Sequence, residues 1–382
     1  MLLRQPSERV LEHKAEWLEL FYDLVLVAAL SSSNHAFVVA PTIGHAVVAM
    51  LSILGLFILW LLTTLMHNRF MVDGLIYRSL LLIQMMGLLI AAIAANPNDD
   101  ISWQYSLTSY ALALATVGLM FALAPVMIGR PVPGVWIAAL GCLLAAGICL
   151  ITVLLPEWVS SWAMVLAILL SLGPVAYYFA RRASTTFPLH ADHLRERLGL
   201  LVLIVIGEGF LQLLNSAHDK GSDVDIRFFL LVFLFNFALG AAYFDGVFTK
   251  GKDSDSRLWG ATVLAHFFLI VGIIIGSDEL AIFAGVDPEA SIDSGGILFA
   301  VAVSLIFLSL GALDAISHHC VTRNALVLVA LGLLMLIYGT LAAQLHAMDP
   351  RFEVIVISIV LVIYSFAFAW RERRASFSQS PL

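Results

Sequence analysis

Charged residues are scarce in this sequence. Asp, Glu, Lys and Arg make up 12% of its 382 residues, about half of what a soluble chain carries, while 61% are hydrophobic. Twenty Lys and Arg with 27 Asp and Glu cannot cover the polar surfaces of the two or three domains that a soluble chain of this length would form. The shortage excludes a soluble enzyme, a nucleic-acid-binding protein and a disordered chain. Cysteine is also rare. Cys142, Cys149 and Cys320 offer neither a disulfide framework nor a clustered metal-ligand spacing. Cys142 and Cys149 share a helix face as small packing residues, and His318-His319-Cys320 lacks a second pair of ligands, so neither a metal nor a cofactor is expected. P-loop, GxSxG and HExxH patterns are absent. No small-residue cleavage pattern follows the charged first sixteen residues, so the first span is expected to act as its own targeting signal.

Long apolar runs fill the rest. A span needs roughly twenty apolar residues, and twelve segments qualify: 17–40, 43–67, 74–95, 102–125, 134–155, 158–180, 194–215, 227–248, 257–283, 294–316, 325–345 and 353–371. They are separated by breakers such as Pro41, Asn96-Pro97 and Pro131-Val132-Pro133, or by charge clusters. With the N-terminus in the cytoplasm, every Lys and Arg except Lys220, Arg227 and Arg351 falls on the cytoplasmic side. That asymmetry follows the positive-inside rule and depends on the count of spans. The expectation is an all-α polytopic membrane protein with both termini cytoplasmic.

The spans divide into an N-terminal segment (1–16), a first half (17–182), a second half (183–371) and a tail (372–382). Glu19-Leu20-Phe21-Tyr22-Asp23-Leu24-Val25-Leu26-Val27 opens the first span and Glu196-Arg197-Leu198-Gly199-Leu200-Leu201-Val202-Leu203-Ile204 the seventh, with four identities in nine positions. The pairing is consistent with a 6+6 parallel repeat about an axis along the membrane normal.

Polar groups inside an apolar span are costly and mark function unless they tie helices together. At about 1.5 Å per residue, Glu208 lies roughly 16 Å beyond Arg197, close to the bilayer middle. His266 and Asn236 come to similar depth and Gln84 somewhat shallower, while the repeat sets Ser31 opposite Glu208. These five are the expected substrate or proton site, with Gly207 and Gly209 permitting close approach of backbone beside Glu208. The other reading is a protonated Glu208 and a packed His266 that only bond neighbouring helices. A second layer lies near the cytoplasmic ends. Glu19 and Asp23 share a helix face, Asp245 and Asp314 end their spans, and Arg69, Arg78 and Arg257 are available as partners. Gly272 and Gly276 form a GxxxG packing motif.

The opening stretch Glu19 to Val27 resembles the signature of the bacterial low temperature requirement protein A family. Asn68-Arg69-Phe70, the run from His193 through Leu200 to Ile206-Gly207-Glu208, Tyr243-Phe244-Asp245 and His266 fit the same pattern over residues 16–345. Gly209 stands where Ser is usual, and Leu26 where Phe is usual. The resemblance implies a multi-pass bacterial inner-membrane protein, and puts Glu19, Asp23, Arg69, Glu196, Glu208, Asp245 and His266 on motif positions. It implies no reaction.

The leading expectation is a proton-coupled secondary transporter, with Glu208 and His266 at a midplane site and Glu19, Asp23, Arg69, Glu196 and Asp245 as a cytoplasmic ion-pair gate. Alternatives are an ion channel, an intramembrane enzyme acting on lipids or quinones, and a structural or sensory membrane protein. The expected partners are the lipid bilayer and a small solute or ion, with no nucleic acid; a homo-oligomer is left open.

Overall fold

A computed structural model describes residues 17–39, 43–70, 73–94, 102–129, 131–132, 134–180, 189–220, 225–246, 248, 258–285, 295–345, 352 and 354–364. The expected N-terminal segment, the tail, and Arg181, Arg182, Lys250, Lys252 and Arg257 lie outside these residues. The described residues form twelve α-helices. They are α1 (Trp17–Val39), α2 (Ile43–Phe70), α3 (Leu75–Ala94), α4 (Ser102–Ile128), α5 (Val135–Thr152), α6 (Glu157–Ala180), α7 (Ala191–Lys220), α8 (Ile226–Gly246), α9 (Trp259–Gly285), α10 (Gly295–Ser317), α11 (Arg323–Leu345) and α12 (Val354–Tyr364). Each falls on one of the twelve apolar segments. Among the described residues eight are long and apolar enough to cross a bilayer: α2, α4, α5 and α7 to α11. Helices are the outcome because apolar surroundings leave backbone N–H and C=O groups no partner but each other.

The chain forms two compact units, Met1–Leu201 and Val202–Leu382, and α7 runs through the boundary. In the first unit α1 packs on α2 and α3, α2 packs on α4 and α6, and α3 to α6 pack in chain order. In the second, α9 packs on α8 and α10, and α10 on α11. Many outward positions carry large apolar side chains, such as Trp136, Leu140 and Leu144 on α5 and Leu333, Leu334 and Ile337 on α11. A contiguous apolar exterior of this kind belongs against lipid.

One expected pairing is corrected here. Arg78, offered by the sequence as a partner for the inner acids, is exposed and engages Asp73 on the α2–α3 turn instead. Its Nε donates to Oδ1 at 2.8 Å and its Nη2 to Oδ2 at 3.0 Å. A local turn acid five residues away wins because the planar guanidinium meets both carboxylate oxygens at once. This bond with Arg78 holds the Asp73 carboxyl below the usual carboxylate range.

The GxxxG expectation has a concrete counterpart. A Cβ added at Gly272 would lie 2.8 Å from the Ala302 carbonyl oxygen and 3.0 Å from Ile306 Cγ1, so α9 and α10 approach with no room for a methyl group. Gly272→Ala should therefore destabilise the fold by about 1–3 kcal/mol. Gly260→Ala, where the added Cβ meets nothing, should leave it unchanged. Thermal midpoints in detergent check this, and equal midpoints for the two variants would rule out the close contact.

Candidate functional site

The first unit buries a cluster of charges on three helices. Glu19 and Asp23 stand one turn apart on α1, and His193 and Arg197 one turn apart at the start of α7. The same four-residue spacing, 3.6 residues per turn, brings each pair onto one face. The two faces meet. Arg197 Nη2 donates to Asp23 Oδ1 at 2.7 Å, its Nη1 lies 3.5 Å from Glu19 Oε1, and His193 Nε2 lies 3.2 Å from Glu19 Oε2. Two residues of α2 complete the set. Trp60 Nε1 donates to Asp23 Oδ1 at 2.7 Å, and His67 Nε2 lies 3.8 Å from Glu19 Oε1. The guanidinium carbon sits 6.0 Å from the centre of the Trp60 ring, within cation–π range. Asp23 is 0% exposed and Arg197 1%, so these charges have exchanged water for one another.

Asn68, at the end of α2, fixes one protonation state in this cluster. Its Oδ1 accepts from the His190 backbone N–H at 2.9 Å and its Nδ2 donates to the His190 carbonyl at 2.8 Å. Reversing the amide would set donor against donor and acceptor against acceptor, so its orientation is determined. The second Nδ2 hydrogen then points at His193 Nδ1, 3.2 Å away. Nδ1 must accept, Nε2 must carry the ring proton, and that N–H donates to Glu19. The proton on Nε2 leaves His193 no lone pair there for a metal ion. Among the described residues no group of three His, Cys, Asp or Glu is arranged to hold one.

Within these contacts Glu19 and Asp23 both face the Arg197 guanidinium. Arg69, two residues past His67 on α2, is buried as well. The sequence offered Arg69 among the partners for the inner acids; the cation bonded to Asp23 is Arg197. Beside the cluster Gln84 Nε2 donates to Tyr22 Oη at 3.0 Å and to Thr63 Oγ1 at 2.9 Å. Gln84 therefore ties α3 to α1 and α2 in the first unit.

A family model described as bacterial low temperature requirement A protein (LtrA) matches residues 14–363. The chain belongs to the LtrA family. No curated protein matches it. Three of the segments quoted for the family resemblance, around Glu19–Asp23, Asn68 and His193–Arg197, converge in this one cluster. The chain is accordingly an LtrA family membrane protein with several apolar helices.

The other expected residues of this LtrA family member stand on α1, α7, α8, α9 and α10. Glu196 is half-buried beside Arg197 on α7, and Ser31 is half-buried on α1. In the second unit Glu208 is half-buried and Asp245 exposed. His266 is 4% exposed and bonded on both ring nitrogens. Nδ1–H donates to the Thr262 carbonyl, which accepts at 2.7 Å, and Nε2 accepts from Tyr243 Oη at 2.9 Å. Asn236 Nδ2 donates to the Val232 carbonyl at 3.1 Å, which turns Oδ1 toward Gly209. A side chain at Gly209 would collide with Ser277 of α9, which gives a physical reason for Gly where the family pattern has Ser. Asp314, expected at an interface, is 0% exposed. It is enclosed by the α10–α11 turn, where the Thr322 hydroxyl donates to it and His318 Nδ1 lies 3.6 Å away.

Sequence reasoning missed Trp60, His67 and the pairing role of Arg197, and it missed Glu279, a carboxyl 2% exposed on α9. A usable signal for Arg197 existed. The acidic i,i+4 pair on the first span has a basic i,i+4 partner on the seventh. Glu279 had none, because it follows Asp278 at a span end and looks like rim charge.

Removing one partner of a buried ion pair strands the other. Arg197→Gln should cost about 3–5 kcal/mol of stability, and adding Asp23→Asn should recover a large part of it. Thermal unfolding of the two singles and the double tests this; additive losses would show that the residues do not compensate one another.

Proposed function

We propose that this LtrA family protein is a proton-coupled secondary transporter whose exchangeable proton resides in the α1–α2–α7 cluster. The observation that supports it is the crowding of titratable groups. Glu19 and Asp23 are both buried against the Arg197 guanidinium, and two imidazoles, His193 and His67, face Glu19. Buried ionisable groups in mutual contact titrate as a coupled set, and such a set is suited to load and release a proton as the surroundings change.

In this reading all twelve helices cross the bacterial inner membrane and both termini lie in the cytoplasm, as the Lys and Arg distribution supports. The cluster then sits at the cytoplasmic ends of α1, α2 and α7, where loading and release would gate access from that side. No nucleotide-binding loop supplies another source of energy. His266, with both nitrogens engaged, is a tie between α8 and α9. In this reading the inner cluster, in place of the midplane pair, carries the proton.

Proteoliposomes containing a pH-sensitive dye test the reading. Amino acids, organic acids, sugars and metal cations are applied in turn to wild type, Asp23→Asn and Glu19→Gln. The expected result is a solute-dependent change of internal pH in wild type that falls to the empty-vesicle rate in Asp23→Asn, with the variant still folded. A pH response that persists in both variants, or a steady current far faster than a conformational cycle, would overturn the carrier.

A further inference from the structure

Asn68 of α2 clasps the residue that opens α7. His190 is the residue before the helix, and its carbonyl accepts the first helical bond, from Leu194 N–H at 3.1 Å. The same carbonyl accepts from Asn68, and the His190 N–H donates back to it. Two opposed hydrogen bonds between a side-chain amide and one peptide define both the height and the rotation of the helix start. His193 and Arg197 follow at three and seven residues from that anchor, which is one face of a helix. The third bond of Asn68, to His193 Nδ1, comes from the same NH2 group that holds His190.

From this geometry we infer that Asn68 is a positioning residue that couples the protonation of His193 to the seating of α7 against α2. The inference rests on the proton-binding reading of the cluster and deepens it. With Asn68 in place, Nδ1 of His193 faces an N–H and cannot take up a proton. His193 can only donate, from Nε2 to Glu19. A second proton at Nδ1 would set two N–H groups against each other across 3.2 Å and expel the Asn68 amide. The amide cannot leave without releasing His190, because its Nδ2 serves both bonds. Protonating His193 thus opens the Asn68 clasp on the start of α7, and closing the clasp expels that proton. The groups that face His193 are Glu19 and Asp23 of α1, His67 of α2 and Arg197 of α7 itself. The carboxylates favour the imidazolium and Arg197 opposes it, which leaves the neutral donor of Asn68 to decide.

Nitrogen NMR of protein labelled with 15N-histidine reads the tautomer directly, with His193→Gln assigning the signal. Wild type should show His193 protonated on Nε2 and not on Nδ1. Asn68→Asp keeps an acceptor for the His190 N–H but sets a carboxylate opposite Nδ1. His193 should then gain an Nδ1 proton and titrate about one pH unit higher or more. A wild-type His193 protonated on Nδ1 would overturn the inference even if no variant folds. So would an unchanged His193 titration in folded Asn68→Asp. Neither readout requires a transported solute. A transport assay can therefore fail while the tautomer stands, or the reverse, and the two readings are judged separately.

Discussion

Burying the guanidinium of Arg197 is the constraint on which the first unit depends. An arginine that is 1% exposed must have its charge answered by neighbours. Asp23 supplies one short bond, Glu19 a second carboxylate and Trp60 a ring face. Each of these is then itself committed: Asp23 to Trp60 as well, and Glu19 to His193 and His67. Three helices are locked in rotation by one side chain. Apolar packing alone would not do this, because lipid tails are as apolar as the Leu and Val side chains that cover most of these helices.

The cluster is strong in geometry yet leaves hydrogen-bond positions unfilled, a combination that bears on function. A static tie is best made with filled hydrogen bonds, as at Asp73, where one guanidinium meets both oxygens of one carboxylate on the surface. The buried cluster departs from that design: Asp23 Oδ2 and Arg197 Nε have no hydrogen-bond partner among the described residues. The second unit shows a contrasting arrangement at His266, where Tyr243 and Thr262 engage both ring nitrogens.

The twelve helices were legible because apolar length and charge asymmetry act residue by residue along the chain, and each helix falls on an expected segment. The candidate residues were legible in part. Cost alone singled out Glu19, Asp23, Gln84, Asn236 and His266, and all five are buried. The partner of Asp23 could not be read in the same way. Along the sequence Arg197 marks the edge of an apolar run, as any span-end charge does, and its pairing with Asp23 joins residues 174 positions apart. Gly209 illustrates a different limit: its space is taken by Ser277, which lies 68 positions later in the chain and leaves no local trace.

The likeness between the openings of α1 and α7 acquires chemical content from the cluster. Aligned as two copies, Glu19 matches Glu196, but Asp23 matches Leu200 and Leu20 matches Arg197. The two openings are therefore not equivalent. One presents acids on the shared face and the other bases. In a duplicated chain this is how related helices could come to bind each other instead of repeating each other, because identical faces of like charge would repel. The bond between Arg197 and Asp23 requires the two openings to differ. A substitution that restored the symmetry, Arg197 to Leu or Asp23 to Leu, would remove the interaction that holds α7 to α1.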